Sequence, residues 1–347
     1  MQDEVLISII IPMRNEREYV RDCLDSVLAQ VAGRSDVEIL CADGASTDGT
    51  REIVREYAAA HERILLVDNP ERIVPTAMNR AIKASRGRVI MRLDGHARYD
   101  PDYVANCLEV LERTGADNVG GYMKTLPAET TRVGHAIAAA TSSPFGVGNS
   151  AFRVGGEEQD ADTVPFGCFR RSVFDRVGFY DERLVRNQDI ELNSRIRATG
   201  GRIVVSPKIR LTYYNRATYA GLRQQAYHNG LWNAYTLYLV GGGLRLRHLV
   251  PLFFVASIVL LAVGGLFWWP VWLALAFELA SYLSITGAVS YRASGGEGRT
   301  WPLVMLAIVQ LHVVYGLATL FGLLTAPLRF GLRKDKKPGK ALADRRA

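Results

Sequence analysis

Strand-like and helix-like patterns alternate through the first hundred residues. Apolar runs rich in β-branched side chains, such as "VLISIIIP" (5–12) and "VEILCA" (37–42), are each followed by a segment with helical spacing, as in "TREIVREYAAA" (50–60). This order is typical of βαβ units, in which helices cover both faces of a parallel sheet. We therefore predict an α/β fold, with mixed helices and strands continuing over about 101–235.

Polar residues follow three of the predicted strands. The segments are "PMRNE" (12–16) after the first strand, "DGASTDGT" (43–50) after the second and "DGH" (94–96) after the fourth. A fourth, acidic segment, "NQDIEL" (187–192), opens a predicted helix. Each segment alone also suits a turn or a helix cap. Because ligands of open α/β sheets bind at the carboxyl ends of the strands, the set predicts one polar binding site.

The final third of the chain is strongly apolar. It holds three stretches, 249–269, 271–291 and 302–324, each about long enough to span a bilayer. The end of the chain, 329–347, then carries eight Lys or Arg against two Asp, within a net charge of +7. A basic segment after apolar helices suits an anionic membrane surface. It lacks the interleaved aromatics of a nucleic-acid site, so we expect a membrane partner and no nucleic acid.

The number of membrane spans stays open at this stage. "RLRH" (245–248) and the basic tail both favour the cytosol, yet three full spans would put them on opposite sides. Either one apolar stretch does not cross the membrane, or the basic tail does not follow the preference of Lys and Arg for the cytosolic side. The acidic start "MQDE" (1–4) does not suit a signal peptide. Four cysteines without zinc or CxxC spacing predict a reduced core: Cys23, Cys41, Cys107 and Cys168.

Taken in order, the polar segments carry a family resemblance. The chain resembles the family 2 glycosyltransferases of the GT-A fold over roughly residues 5–235. The "LDGHARY" stretch and the apolar segments are most similar to membrane-attached, succinoglycan-type exopolysaccharide glucosyltransferases. The matching segments are "SIIIPMRNE", "DGASTDGT", "RLDGH" and "RNQDIEL".

The resemblance implies a three-part organisation. A GT-A domain with a Rossmann-like nucleotide-binding sheet would occupy 1–235. Two to three membrane-associated helices would occupy 236–326, and a basic tail would occupy 327–347. The expected location is the inner (cytoplasmic) membrane, as a multi-pass protein with its catalytic domain in the cytosol.

The resemblance also implies how a UDP-sugar donor is held. Asp43 would accept a hydrogen bond from the N3–H of uracil. The backbone near Pro12 and the side chains of Asn15 and Glu16 would hold the nucleoside. Asp94 would face the ribose and the metal region.

A divalent metal is implied at the position of the family's DxD motif. Asp94 and His96 stand there, with His96 in place of the second acid. The cation would bridge the phosphates and stabilise the leaving nucleoside diphosphate. Because imidazole favours Mn²⁺ over Mg²⁺, we expect Mn²⁺.

Asp189 matches the aspartate of the family's "ED" motif, with Gln188 in place of the glutamate. Its implied role is general base, taking the proton of an acceptor hydroxyl as that oxygen attacks the anomeric carbon in line. A single displacement inverts the configuration, so an α-linked donor would give a β-linked product.

Three further residues are predicted on the acceptor side. Arg170 or Arg171 would meet a lipid diphosphate, with packing against the core as the alternative. Gln225 belongs to "RQQAYHNGLW" (223–232), which resembles the QxxRW motif of processive relatives but has His228 in place of its arginine. This departure predicts the addition of one sugar per acceptor.

The function predicted from the sequence is transfer of one sugar, with inversion, from a UDP-sugar onto a lipid-linked saccharide. UDP-glucose is the expected donor and a polyprenyl diphosphate saccharide the expected acceptor, in exopolysaccharide or cell-surface glycan synthesis. Two alternatives stay open: a polyprenyl-phosphate sugar transferase and a non-catalytic membrane-bound protein that binds nucleotide sugars. A nucleotidyltransferase is disfavoured, because "PMRNE" does not supply the Gly-rich signature with basic residues that this class usually has near the N-terminus.

Overall fold

The computed structural model describes residues 5–95, 97–148 and 150–331. The predicted metal ligand His96 and most of the basic tail lie outside these residues. The strands are β1 (Ile7–Met13), β2 (Val37–Asp43), β3 (Ile64–Asp68), β4 (Val89–Arg92), β5 (Arg98–Tyr99), β6 (Asn118–Pro127), β7 (Gln159–Asp160), β8 (Cys168–Arg170) and β9 (Ile203–Asn215). The helices are α1 (Val20–Gln30), α2 (Thr50–Ala60), α3 (Val74–Ala84), α4 (Tyr103–Thr114), α5 (Arg132–Ser142), α6 (Pro144–Val147), α7 (Ala151–Val154), α8 (Ser172–Val177), α9 (Gln188–Ala198), α10 (Tyr219–Val240), α11 (Val250–Gly265), α12 (Val271–Ala293) and α13 (Trp301–Phe330).

A single mixed sheet confirms the predicted α/β fold. Its neighbouring strands run β3-β2-β1-β4-β8-β6-β9-β5, with β7 beside β9. The β1 strand is parallel to β2 and β4, and β2 is parallel to β3. The β8 strand is antiparallel to both β4 and β6. The parallel half of the sheet is therefore the part that the alternating pattern predicted.

The central strands are enclosed on both faces. All seven residues of β2 are buried, and in β1 only Pro12 is partly exposed. Parallel strands covered by helices on both faces have near-continuous apolar sequences, which explains the runs in β1 and β2. As predicted, the cysteines fill the core without forming disulfides: Cys23, Cys41, Cys107 and Cys168.

The chain divides into two compact units. The described part of the first comprises residues 5–124 and 155–213 and contains most of the sheet. The second comprises residues 125–154 and 214–331 and is mainly helical. The sequence predicted a boundary near residue 235, whereas α10 and the segment 125–154 group with the apolar helices.

The segment 125–154 is largely helical, although its sequence is rich in Gly and Ser. The α5 helix packs into a buried cluster with α10 and α13. It contributes two alanines and one isoleucine to this cluster, so its apolar face is not evident from the sequence. The members of this cluster are Ala136, Ile137, Ala140, Leu222, Val304, Ala307 and Ile308.

Two helices of the second unit are long and apolar enough to cross a membrane. They are α12, with 23 residues, and α13, with 30 residues. The first predicted stretch forms α11, whose 16 residues rise only about 24 Å, against about 30 Å for a hydrocarbon core. Trp268 and Trp269, between α11 and α12, are 66% and 70% exposed. Large exposed apolar side chains of this kind are typical of a membrane-facing surface.

Candidate active site

Three of the predicted polar segments meet at the carboxyl edge of the parallel strands. Met13 at the end of β1 pairs with Asp43 at the end of β2. On the other side of β1, Ile10 pairs with Arg92, so Asp94 lies level with Pro12. The sheet register therefore brings the loops that follow β1, β2 and β4 side by side.

Hydrogen bonds join the loop after β1 to the loop after β2. The Asn15 backbone N–H donates to Ser46 Oγ at 2.9 Å, and the Thr47 N–H donates back to Asn15 Oδ1 at 2.9 Å. The Glu16 N–H donates to Thr50 Oγ1 at 2.8 Å. Asn15 itself has a left-handed φ of 57°, a conformation that asparagine tolerates better than most residues. Asn15 and Glu16 thus join the loop after β1 to the loop after β2.

Asp43 is fully buried and forms a salt bridge with Arg51, a residue that was not predicted from the sequence. Arg51, in the first turn of α2, donates to Asp43 Oδ2 at 3.0 Å and also pairs with Asp68. The Ser46 N–H lies 3.3 Å from both Asp43 oxygens. A buried carboxylate is tolerated only when it is paired and hydrogen-bonded. Arg51 is that partner. Its position directly after the loop 43–50 was the feature of the sequence that could have predicted it.

Arg92, also missed from the sequence, joins Asp189, the predicted base, to Asp94, a predicted donor- and metal-site residue. Its Nη1 donates to both oxygens of Asp189 at 2.8 Å, and its Nε donates to Asp94 Oδ1 at 3.1 Å. The Arg92 side chain is 7% exposed, and its guanidinium lies 5.6 Å from the centre of the Phe166 ring. Asp94 follows β4, whereas Asp189 belongs to the first turn of α9. The structure thus unites residues that are far apart in the sequence.

The electrostatics of this cluster are set by burial and by the three charges. Partial burial of the Asp189 side chain, which is 31% exposed, raises the pKa of its carboxyl, and Asp94 raises it further. Arg92 and the Tyr180 hydroxyl oppose the rise. Burial opposes the charge of Arg92, but Asp189 and Asp94 outweigh it and raise the guanidinium pKa above its ordinary value. Arg92 therefore stays charged, and Asp189 keeps its proton to a higher pH than an exposed aspartate.

Two buried tyrosines complete the cluster. The Asp94 N–H donates to the Tyr99 hydroxyl at 2.6 Å, which fixes the start of the loop after β4. The Tyr180 hydroxyl interacts electrostatically with Asp189 and Arg92 but has no hydrogen bond of ordinary geometry within the described residues. Asn79 holds the Tyr180 backbone at both ends, accepting from its N–H and donating to its carbonyl, each at 2.9 Å.

The two acceptor-side arginines lie away from this edge. Arg170 pairs with Val89 at the start of β4, and Asp94 lies five positions further along the chain, or about 16 Å in extended backbone. Arg170 donates to the carbonyls of Leu111 and Ala116, and Arg171 donates to the Gly87 carbonyl and Ser85 Oγ; these four carbonyl and hydroxyl partners lie 2.5 to 3.0 Å away. These contacts favour packing, the alternative that the sequence left open.

Gln225, the third acceptor-side residue, belongs to α10 of the second unit. Its Oε1 atom is buried and has no hydrogen-bond partner within the described part of the chain.

Comparison with known proteins identifies the family. The family model described as glycosyl transferase family 2 matches residues 8–180. The succinoglycan biosynthesis protein ExoA of Rhizobium meliloti is 30% identical over 309 residues, which are 88% of this chain and 92% of that protein. The chain belongs to glycosyl transferase family 2.

Other relatives agree with this assignment. A dolichyl N-acetyl-α-D-glucosaminyl phosphate 3-β-D-2,3-diacetamido-2,3-dideoxy-β-D-glucuronosyltransferase of Methanococcus voltae is 27% identical over 75% of this chain and 82% of its own length. The mannosyltransferase PcManGT of Pyrobaculum calidifontis, solved with GDP-Man and Mn²⁺, superposes with a TM-score of 0.55 at 20% identity. That match covers 90% of this chain and 86% of the other. The GT-A fold and the glycosyltransferase class are confirmed.

Proposed function

We propose that this glycosyltransferase moves one sugar from a UDP-sugar, with inversion, onto a lipid-linked saccharide in the synthesis of an exopolysaccharide or cell-surface glycan. The observation that carries the proposal is the cluster of Asp189, Arg92 and Asp94 at the carboxyl edge of the sheet, beside the loop 43–50. The names of two relatives support the biosynthetic role, one in succinoglycan biosynthesis and one acting on a dolichyl phosphate sugar.

Asp189 is the general base of the proposed reaction. Each of its oxygens accepts one hydrogen bond from Arg92, which leaves lone pairs for an acceptor hydroxyl. Its side chain is 31% exposed, so solvent and an acceptor reach it. As the acceptor oxygen bonds to the anomeric carbon, the bond to the UDP oxygen breaks and the hydroxyl proton passes to Asp189. One displacement gives a β-linked product from an α-linked donor.

The donor nucleoside is assigned to the loops after β1 and β2. We place the base against Asp43 and the nucleoside against Pro12, Asn15 and Glu16. Arg51 and Ser46 already occupy Asp43, but a carboxylate has about four lone-pair positions and can accept a further N–H. UDP-glucose is the first donor to test.

A divalent cation fits this donor site only together with the donor's own phosphates. Within the described residues no group of three His, Cys, Asp or Glu side chains converges. Asp94 is 16% exposed at its side chain, and among the described residues its Oδ2 meets a 3.4 Å contact from Arg92, which leaves lone pairs for a cation. When bound, the cation would neutralise the leaving diphosphate. Asp94 and His96 would hold it, and the imidazole favours Mn²⁺.

Membrane attachment through α12 and α13 accounts for a lipid-linked acceptor. Both helices have the length and composition of a span. We place the protein at the inner membrane with its catalytic unit in the cytosol, where nucleotide sugars are available.

The test is sugar transfer by the full chain purified in detergent. UDP-glucose, UDP-N-acetylglucosamine, UDP-glucuronic acid and GDP-mannose are offered with a lipid-linked saccharide or with polyprenyl phosphate, in Mn²⁺, Mg²⁺ or EDTA. We expect metal-dependent transfer from a UDP-sugar to the saccharide and a β linkage by NMR. Transfer to polyprenyl phosphate alone would favour that rival enzyme, and UDP binding without any transfer would favour a non-catalytic protein.

A further inference from the structure

Arg92 is a buried cation inside a strand of the sheet. Strand geometry puts side chains two residues apart on one face, so Arg92 and Asp94 share a face at the end of β4. A guanidinium that is 7% exposed is costly unless it is fully paired, and Asp94 and Asp189 supply that pairing. Nothing in the proposed reaction so far requires a cation here, which raises the question of what Arg92 does.

We propose that Arg92 is a positioning residue that fixes the Asp189 carboxylate relative to Asp94 and so aligns the acceptor hydroxyl for in-line attack. This inference rests on the proposed function, since it assigns Arg92 a task in that reaction. Arg92 acts through Asp189 and does not itself take part in the transfer.

The place of the guanidinium is fixed from the strand. The Arg92 N–H donates to the Gly167 carbonyl at 3.0 Å, which holds the residue between β1 and β8. The Phe166 ring lies 5.6 Å from the guanidinium carbon. Phe166 has a left-handed φ of 45°, and the surrounding chain holds it in that uncommon conformation.

The planar shape of the guanidinium explains why one side chain serves two carboxylates. One edge of it, Nε, points to Asp94, and the opposite nitrogen, Nη1, points to both oxygens of Asp189. A lysine has a single ammonium on a flexible stem and cannot present donors in two fixed directions. Arg92 thus sets the separation of the carboxylate on the donor side and the carboxylate on the acceptor side.

Fixing that separation affects the rate more than donor binding. A misplacement of about 1 Å in a reacting group can cost about 100-fold in rate. The Asp94 backbone has a separate anchor, because its N–H donates to the Tyr99 hydroxyl at 2.6 Å. Loss of Arg92 should therefore disturb Asp189 more than the donor site.

The test compares Arg92→Met, Arg92→Lys, Asp189→Asn and the double variant Arg92→Met/Asp189→Asn. We expect Arg92→Met to lower kcat about 100-fold while KM for the donor and UDP binding change less than about threefold. Arg92→Lys should recover only part of that loss. Residues that act as a unit are strongly non-additive, so in the Asp189→Asn background Arg92→Met should add less than about threefold.

Arg195→Lys is the matched control, because Arg195 forms a salt bridge with buried Glu191 on the same helix, α9. It should keep kcat within about threefold when rates are referred to folded protein. Two results would overturn the positioning role. One is a double variant in which Arg92→Met lowers kcat as much as it does in the wild-type background, and the other is an Arg92→Met variant that changes only KM. If Asp189→Asn instead transferred sugar at the wild-type rate, the assignment of Asp189 as the general base would be wrong. The two failures are therefore distinguishable.

Discussion

At the residue scale, the site depends on charges that are buried in pairs. Arg51 pairs with Asp43, and Arg92 pairs with both Asp94 and Asp189. Asp43 is completely enclosed and Arg92 is 7% exposed, so neither charge would be tolerated alone. The two arginines therefore hold the carboxylates ready before any ligand is bound.

The raised pKa of Asp189 predicts the pH dependence of transfer. A general base must be deprotonated, and burial holds its proton to a higher pH than the ordinary aspartate value of about 3.9. As the pH falls, kcat should therefore begin to drop above that value. The measurement is kcat at saturating donor between pH 4 and 9. An acid limb at or below the ordinary aspartate value would contradict the environment described for Asp189.

Two tyrosines beside the cluster should respond differently to loss of their hydroxyls. Tyr99→Phe removes the acceptor of the Asp94 N–H, and leaving a polar group unpaired costs about 1–3 kcal/mol. Tyr180→Phe removes a buried hydroxyl whose contacts with Asp189 and Arg92 lack ordinary hydrogen-bond geometry, so the free energy of unfolding should fall less than in Tyr99→Phe. Thermal unfolding of the two variants side by side measures this. Equal destabilisation would contradict the assigned contacts.

Some of these residues were accessible from the sequence and others were not. Asp43, Asp94 and Asp189 stand at strand or helix ends in a recognisable order, so the sequence alone predicts them as site residues. Arg92 looked like part of a strand, although a charged residue in a buried strand, two positions before Asp94, was a usable signal. Its pairing with Asp189 was not predictable, because it depends on where α9 packs.

At the element scale, the sheet edge that holds the site follows from strand register. The parallel strands β1, β2 and β4 were predicted from their apolar runs, and their ends meet as expected. The antiparallel β8 was not predicted, because it is only three residues long. Its pairing with β4 also decides that Arg170 lies at the opposite end from Asp94.

A salt bridge between Glu158 and α4 predicts how the free energy of unfolding depends on pH. Glu158 accepts from Arg113 of α4 at 2.7 Å and from Ser206 of β9 at 2.7 Å, and these bonds lower its pKa to about 2. The unfolded value is about 4.3. Its contribution is therefore present above the unfolded value and is lost as the pH falls towards 2.

Glu158→Gln should remove that part of the pH dependence. We expect the variant to be less stable than wild type at pH 7 and to lose less stability between pH 5 and 3. Denaturant unfolding at both pH values measures the difference. Parallel pH curves for the two proteins would show that Glu158 does not titrate as described.

Close helix packing in the second unit predicts a contrast between two glycines. A Cβ on Gly230 of α10 would lie 2.2 Å from the Tyr315 carbonyl oxygen of α13, whereas a Cβ on Gly287 of α12 would meet only Trp301 at 4.0 Å. Alanine gains about 1 kcal/mol over glycine in a helix. Gly287→Ala should therefore keep or raise the melting temperature in detergent, and Gly230→Ala should lower it. The same sign for both would contradict the packing of α10 on α13.

At the scale of the whole molecule, the chain combines a soluble-type sheet unit with an apolar helical unit. The composition predicted an apolar final third, and the family resemblance placed the boundary near residue 235. The helical unit also takes in residues 125–154, which lie far from the apolar stretches in sequence. Their small side chains carry little hydrophobic signal, so only packing reveals them.

The apolar surface of the helical unit predicts firm membrane attachment. Phe267, Trp268 and Leu328 expose 86%, 66% and 87% of their surface. Burying such side chains in lipid is worth about 1.5–3 kcal/mol each. The full chain should stay in the membrane pellet after washing with high salt or alkaline carbonate and be released by detergent. Release by salt alone would show that attachment is only electrostatic.

The most direct test of the account is the rate of sugar transfer by Asp189→Asn, with UDP binding measured on the same preparation. Asp175→Asn is the matched control, since Asp175 also stands in the first turn of a helix of the same unit but is exposed. We predict that Asp189→Asn loses transfer by about 100-fold or more while UDP binds as in wild type, and that Asp175→Asn keeps wild-type transfer. Wild-type transfer by Asp189→Asn would contradict the assignment of Asp189 as the base.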